Sequence, residues 1–465
     1  LVHYKSINTI NSISMKIQFC GANHEVTGSC HFLQTSQKKI LVDCGMFQGG
    51  QYNEVKNFDE FPFDPKEIDI LLVTHGHLDH VGRIPKLIKE GFNGKIIATK
   101  ATIKIMELVM TDAAKIMKYN HRKFQYPVLY RAEDIEATMK LVTGVDYNKN
   151  TDIGDGIKVL FKDAGHIFGS SFIELEADGK RIGFSGDIGN DNVPILRDTQ
   201  PLGEVDLLVC ESTYGDRIHE TKQERDQILL DLIKEGCKRG GVIMMPAFSI
   251  ERTQEILYHL HELAVDDKIL PQIPMYVDSP LAINVSKVFK QFPEYYDEEA
   301  SKHYTKGEDF LHFPNLTLTP TKEESIKINN SPKPKLIIAG AGMMNGGRIL
   351  HHAQRYLPDP NSTLIIVGYQ AHGTTGRRLY EGADKIKIFN HYVDVKCTIK
   401  AIGALSGHGD QSKLMNWVKT APTMPKKVYF VHGEPHAAET LGHKMRDEMG
   451  IKSYIPEYKE VVDVE

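Results

Sequence analysis

The chain has 465 residues, with 61 acidic against 56 basic side chains and a formal net charge of −5 at pH 7, a length that predicts two domains or one large composite rather than a single ordinary core. Hydrophobic residues at 41% and charged residues at 25% are the mixture of a soluble globular protein, and no apolar run approaches the ~20 residues of a membrane span. The acidic balance argues against polyanion binding by bulk charge, so a nucleic-acid substrate would need a local basic groove.

Leu1 to Ser14 lack the charged and apolar regions of a secretory signal and read as an extension outside the fold, which is expected to begin at the strand-like Met15-Lys16-Ile17-Gln18-Phe19. Gly21 and Gly28 punctuate the first turn, and Lys39-Ile40-Leu41-Val42 reads as a strand leading to Asp43. Six cysteines (Cys20, Cys30, Cys44, Cys210, Cys237 and Cys397) contain no C-x-x-C pair and lie mostly in apolar or glycine-rich surroundings. They predict reduced, buried thiols in a cytoplasmic protein rather than a disulfide frame.

The apolar run Ile68-Asp69-Ile70-Leu71-Leu72-Val73 predicts a buried strand, and it delivers Thr74-His75-Gly76-His77-Leu78-Asp79-His80. Three histidines and an aspartate within six positions form the pattern H-x-H-x-D-H, a donor set suited to zinc or a similar divalent metal. Another short strand, Lys95-Ile96-Ile97-Ala98, precedes a predicted amphipathic helix over 101–117 with Ile103, Met106, Met110 and Ala114 on one face. Residues 119–150 are polar and read as helix plus a mobile loop.

Further strands then end in chemistry. Ile157–Phe161 leads to Asp163-Ala164-Gly165-His166, Lys180–Ser185 to Gly186-Asp187, and Asp206–Cys210 to Glu211-Ser212-Thr213-Tyr214. A series of strands with such endings implies one convergent site at one edge of a sheet. Beyond Glu211 strands alternate with helices, which predicts βαβ units and a parallel sheet. Its loops hold Pro246-Ala247-Phe248-Ser249, Asp278-Ser279-Pro280, the glycine-rich segment 340–347 and Gly368-Tyr369-Gln370-Ala371-His372-Gly373. Loops at the carboxyl ends of parallel strands bind ligands, and backbone N–H groups of glycine turns can cradle phosphate oxygens, although such turns also serve simply to connect strand and helix. The candidate substrate-binding residues are Ser249, Arg252, Ser279, Gly342, Gly346, Gly347, Gly373 and Arg377. Lys335, Arg348 and Arg378 are further basic side chains placed to line a groove. The end of the chain returns to strand plus histidine, at Ser406-Gly407-His408 and Val431-His432-Gly433-Glu434.

The expected organisation is a first domain over 15–210, an inserted α/β domain over 211–395, and completion of the first domain over 396–465. Two metals need about six to eight ligand positions, and the strand ends offer them. His75, His77 and His166 can hold one zinc; Asp79, His80 and His432 can hold the other; Asp187 has two oxygens with which to bridge them. Two zincs so placed would acidify a water and polarise a phosphoryl or acyl group, which makes a hydrolase.

These motifs, with Asp43 preceding them, resemble the metallo-β-lactamase superfamily. Glu211–Gly215, Ser406–His408 and Val431–Glu434 resemble motifs A, B and C of its β-CASP branch, as do Pro246–Ser249 with Arg252-Thr253-Gln254, Asp278–Leu281 and the 340–347 loop. The likeness runs from Met15 onward and is similar in overall form to the cleavage and polyadenylation specificity factor nucleases and their prokaryotic relatives, in a minimal two-domain form. It implies an αββα sandwich with a β-CASP insertion capping the metal site, two Zn2+ per chain, and RNA, single-stranded, as substrate. His408 would be the general acid and Glu211 its orienting partner; Asp43 would hold a ligand histidine in the required tautomer. A histidine in motif C, His432, goes with RNA-processing members. His372 stands where many relatives have glutamate. Left open are internal against 5′-end cutting, the RNA target, and assembly, where a homodimer is one allowed form. A thioester or lactam hydrolase and a non-catalytic RNA-binding scaffold are the competing classes.

Overall fold

A computed structural model describes residues 15–49, 51–219, 222–368, 370, 373–402 and 407–465. The predicted extension over 1–14, Ser406 and His372 lie outside these residues. Two seven-stranded sheets face each other. The first runs in the order Val461–Asp463, Lys16–Phe19, His31–Gln34, Lys39–Val42, Ile70–Leu72, Lys95–Thr99, Val142–Val145. The second runs Lys452–Tyr454, Lys427–Val431, Leu207–Glu211, Lys180–Phe184, Ser171–Ala177, Lys158–Asp163, Thr151–Asp152.

Alternation explains the sandwich. Ile17, Phe19, Leu33, Ile40 and Val42 from one sheet meet Val159, Phe161, Ile173, Leu175 and Phe184 from the other in one buried cluster. The opposite faces of both sheets are apolar too, and helices cover them, which is why the strands near the centre read as continuous hydrophobic runs. Gln411–Lys419 and Pro435–Met449 pack Leu414, Trp417, Leu441 and Met445 against the second sheet.

The inserted region forms a third, six-stranded sheet in the order Leu316–Leu318, Met275–Asp278, Lys335–Ala339, Val242–Pro246, Thr363–Val367, Thr398–Ile402. Every pairing in it is parallel, as the alternation of strand and helix predicts. One boundary differs from expectation. Thr398–Ile402, read from sequence as the start of the completing part, pairs with Thr363–Val367 and forms an edge of the inserted sheet. A lone strand's periodicity cannot say which sheet it joins.

The helix expected over 101–117 extends over Lys100–Phe124, capped by the Thr99 hydroxyl, which accepts from Thr102 N–H. Its buried face is Ala101, Ile105, Met106, Val109, Met110 and Ala113, so Ile103 and Ala114 sit at the margin of the face rather than along it. Residues 119–150 hold the end of this helix, a second helix Ala132–Lys140 and the strand Val142–Val145 rather than a long loop. The insert is packed onto the first domain through aromatic contacts: Phe168, two residues after His166, stacks on Phe289 with ring centroids 4.1 Å apart. All six cysteines are free, and five are buried. Among the described residues no helix is long and apolar enough to cross a membrane.

Candidate metal centre

Strand register brings the chemistry to one edge. Lys180–Phe184, Leu207–Glu211 and Lys427–Val431 are neighbouring parallel strands, with Glu211 opposite Val431. Asp187, Glu211 and His432 therefore leave the sheet side by side. In the facing sheet Lys39–Val42 and Ile70–Leu72 are parallel, with Val42 opposite Leu72, so Asp43 and the His75 loop emerge together. Glycines let the loops touch: a Cβ on Gly45 would lie 1.5 Å from the Asp79 carbonyl oxygen, and one on Gly189 would lie 1.7 Å from that of Gly165. Asp43 and His432 have positive φ, 59° and 51°, a costly conformation for residues with a Cβ and one found where a site demands it.

Two four-atom sets result. His75 Nε2 and His166 Nε2 lie 3.1 and 3.2 Å from His77 Nδ1, and each is 3.4 Å from Asp187 Oδ2. On the other side His80 Nε2 and His432 Nε2 are 3.3 Å apart, Asp79 Oδ2 is 3.3 Å from His432 Nε2, and Asp187 Oδ1 is 3.3 Å from His80 Nε2 and 3.7 Å from His432 Nε2. Tetrahedral zinc with bonds of about 2.0–2.1 Å places its donors about 3.4 Å apart. The first set matches that spacing; in the second, Asp79, His80 and His432 group together and Asp187 Oδ1 approaches the two histidines, so Asp187 turns one oxygen toward each set. Its Oδ1 has no hydrogen-bond donor although it is fully buried, an arrangement that is costly unless a cation is its partner. The donors present fit a pair of divalent metals.

The outward nitrogens determine the tautomers. Nδ1 of His80 donates to Asp43 Oδ2 at 2.7 Å, and Nδ1 of His166 to the Gly407 carbonyl at 2.8 Å. Nδ1 of His75 meets Thr74 Oγ1, and Nδ1 of His432 meets Thr213 Oγ1, each at 3.1 Å. With Nδ1 donating outward, each Nε2 turns a lone pair inward. Burial pushes His75 down to about 3 and His77 to about 4, so both are neutral, the form that binds metal. Burial alone would also lower His80, but the Asp187 and Asp43 carboxylates outweigh it and raise this imidazole. Asp43 in turn is fixed by Thr74, whose N–H and hydroxyl both donate at 2.8 Å. Asp43→Asn is expected to weaken metal binding about 10–100-fold, measured by competition with a chelator; wild-type affinity would remove Asp43 from this role.

Beside the two sets, His408 Nδ1 donates to Glu211 Oε2 at 3.0 Å, while Glu211 Oε1 accepts from Ile188 N–H at 2.6 Å. Burial lowers His408, but Glu211 and then Asp187 raise it to about 9. Asp187, Glu211, His408 and His432 are close enough to hold a metal of their own; the His408–Glu211 hydrogen bond occupies the atoms such an ion would need, so we read this group as a proton-donor pair.

The substrate-side residues separate into four groups. Ser249 and Ser279 follow strands that flank Lys335–Ala339 on either side, have their hydroxyls 2.9 Å apart, and both face Gly340. Arg252 is buried, is paired through Nη1 with Glu255, and its Nη2 lies 3.5 Å from where a Gly407 Cβ would stand, beside His166. It thus reaches from the insert to the metal loops. The glycines differ among themselves: Gly342 is packed on the Phe248 ring, Gly347 passes close to the Gly340 carbonyl, Gly346 has open space, and Gly373 is exposed near the Gly49 carbonyl. Arg377 pairs with Glu381 at 2.6 Å.

Two basic residues are not groove residues. Lys335 is fully buried at the amino end of its strand, opposite the glycine loops, with Nζ donating to the Ile328 and Ser331 carbonyls. Arg348 is tied to Asp278 and to the carbonyls of Thr319 and Pro320. Asp278 also binds His352, Ser325 and Thr319, which hold it down at about 2 against the effect of burial. Its role is to anchor the loop that carries Ser279. Sequence reading missed Thr74, Thr213, the Gly407 carbonyl and Glu255, because short polar side chains and backbone groups carry no distinctive spacing.

Family models agree with the fold. The metallo-beta-lactamase superfamily model matches residues 25–205, the Beta-Casp domain residues 253–379, and the Zn-dependent metallo-hydrolase RNA specificity domain residues 392–456. A ribonuclease from Thermus thermophilus is 36% identical over 428 residues, covering 92% of this chain and 95% of that protein. An RNase J-like protein from Methanocaldococcus jannaschii is 30% identical over 95% of this chain and 97% of its own length. The transcription termination factor FttA of the same organism is 29% identical over 95% of this chain and 70% of its own length. A crystal structure of an Enterococcus faecalis protein of unknown function shares the fold, with a TM-score of 0.53 at 12% identity over 97% of this chain and all of that one. With matches to both domain models and a relative above 30% identity matched almost end to end, the chain belongs to the metallo-β-lactamase superfamily, in the branch that carries a β-CASP domain.

Proposed function

We infer that the chain is a metal-dependent nuclease that hydrolyses RNA phosphodiester bonds, and we propose two zinc ions as its metals. The observation that carries the reading is the pair of donor sets sharing Asp187, with the hydrogen-bonded His408–Glu211 pair alongside. The names of the relatives, a ribonuclease among them, and of the RNA specificity domain support RNA as the substrate class. When bound, two divalent cations acidify water and polarise a phosphoryl group.

The chain's own residues do the rest. His75, His77, His166, Asp79, His80, His432 and Asp187 would hold the metals. Glu211 keeps the His408 Nδ1–H in place, so the proton delivered to the leaving oxygen comes from Nε2. Arg252 neutralises phosphate charge next to the metal loops, and the Ser249–Ser279 hydroxyls with the Gly340–Gly347 backbone bind a neighbouring phosphate of a single strand. Gly373 and Arg377 line the same groove further out. The insert, after the strand ending at Glu211 and up to the strand ending at Ile402, covers the site and excludes water; residues 15–211 and 407–465 carry the strands of the sandwich. All these groups come from one copy, so a homodimer would add none of them. Free, buried cysteines support a cytoplasmic setting.

The test uses zinc-loaded protein and 5′-labelled RNA with monophosphate or triphosphate ends, sampled early. Products ending in 5′-phosphate and 3′-hydroxyl are expected. A ladder of intermediates marks internal cutting, and released mononucleotide marks attack from the 5′ end. Turnover of a thioester with no RNA cleavage would overturn the reading in favour of a small-molecule hydrolase.

A further inference from the structure

At the far end of the helix that begins with Arg252 lies a second cluster of histidines and carboxylates. The helix Arg252–His261 gives way to a π-helical turn, Glu262–Asp266. In an α-helix a residue and its fifth neighbour point about 140° apart; the i→i+5 repeat of a π turn brings them to one side, and such turns recur at functional sites. His261 Nδ1 is accordingly 3.5 Å from Asp266 Oδ2. His261 is buried, and that nitrogen has no hydrogen-bond partner.

His303, from the helix Glu298–Thr305, faces the same point, its ring 5.4 Å from that of His261 and nearly perpendicular to it. One donor atom from each of His261, Asp266 and His303 lies within 4.8 Å of the others. Donors around tetrahedral zinc are about 3.4 Å apart, a closure that rotation of the Asp266 side chain, 42% exposed, can supply. His303 Nδ1 donates to Glu308 Oε2 at 2.5 Å, which leaves Nε2 as the nitrogen able to bind an ion, the carboxylate–histidine–metal pattern. Tyr258, Phe310 and Phe313 pack edge-on against the two imidazoles, limiting their rotation. Burial also lowers His261, favouring the neutral ligand form.

We propose that His261, Asp266 and His303 bind a divalent transition metal, zinc by their nitrogen-rich donor set, with Glu308 orienting His303. The ion clasps the end of the Arg252 helix to the Glu298–Thr305 helix, two elements separated in the chain by the strand Met275–Asp278 and the helix Pro280–Phe289. A helix of 10 residues, about 15 Å long, divides it from the catalytic centre, so it takes no part in bond cleavage. It fixes the end of the helix remote from Arg252.

The experiment measures bound metal by mass spectrometry after dialysis of the full chain against micromolar free zinc. Wild type is expected to carry one equivalent more than His303→Ala and Asp266→Asn, both of which cleave RNA within about twofold of the wild-type rate at saturating zinc, as expected for sites that do not share partners. His77→Ala is expected to keep this equivalent while losing metal from the catalytic centre, which separates failure of the clasp from failure of the nuclease reading. Should His303→Ala not fold, Asp266→Asn decides, because its side chain is partly in solvent. Equal metal content in wild type and a folded clasp variant would overturn the proposal and leave a set of histidine–carboxylate ion pairs.

Discussion

Replacing His408 with alanine is expected to slow RNA cleavage by roughly two to four orders of magnitude while metal content stays at the wild-type level. The expectation rests on position. His408 hydrogen-bonds Glu211 and lies 3.9 Å from Asp187, so it sits beside the metals without occupying either tetrahedral set. Its side chain is 17% exposed, against 0% for Glu211 and 1% for Asp187, so of these three it is the one open to a leaving oxygen. Single-turnover cleavage with metal analysis on the same sample checks it; a variant with full activity would end the acid role.

The pH profile gives a second reading of the same group. Glu211 and Asp187, outweighing burial, raise His408 to about 9. A group raised above its ordinary value stays protonated below that value and loses its proton as pH climbs through it, so the acid limb of the rate should fall on the alkaline side. Cations held at Asp187 would remove its smaller share of that rise, leaving Glu211 to keep the limb above the ordinary imidazole value. Glu211→Gln removes the largest raising influence and should move the limb acidward by about one unit or more. An unmoved limb would mean that Glu211 does not set the proton's affinity.

Asp187→Asn is the other change with a large expected effect. An amide keeps the shape but offers one oxygen where the carboxylate offers two, and it removes the negative charge shared between the sets. At most one metal per chain should survive dialysis. The cleavage rate should fall by about a thousandfold or more, equivalent to roughly 4 kcal/mol of lost charge stabilisation. Metal analysis and single-turnover kinetics read the two effects separately. Two metals retained with a rate within tenfold of wild type would exclude a bridging role.

Much of this centre was legible in the chain. H-x-H-x-D-H after an apolar run states a metal site locally, since two-residue spacing in a loop puts donors within one ion's reach. His166, Asp187 and His432 were legible as polar residues closing strands far apart in sequence, the resemblance agreed with them, and the fold brings all seven donors together. The parallel insert was also legible, because alternating strands and helices allow few other topologies.

Other features required the folded molecule. Lys335 and Arg348 are, in sequence, two more basic residues near glycine loops; burial at the wrong strand end and capture by Asp278 remove them from the groove. Thr398–Ile402 joins the inserted sheet through pairing that its own pattern cannot specify. Thr74, Thr213 and the Gly407 carbonyl select the histidine tautomers through hydrogen bonds, and hydrogen bonding is a property of placement. So the sequence by itself determined which atoms can bind metal, because donor chemistry resides in residue type. Only the tertiary structure decided which lone pairs face inward, since strand register, loop contact and burial determine that.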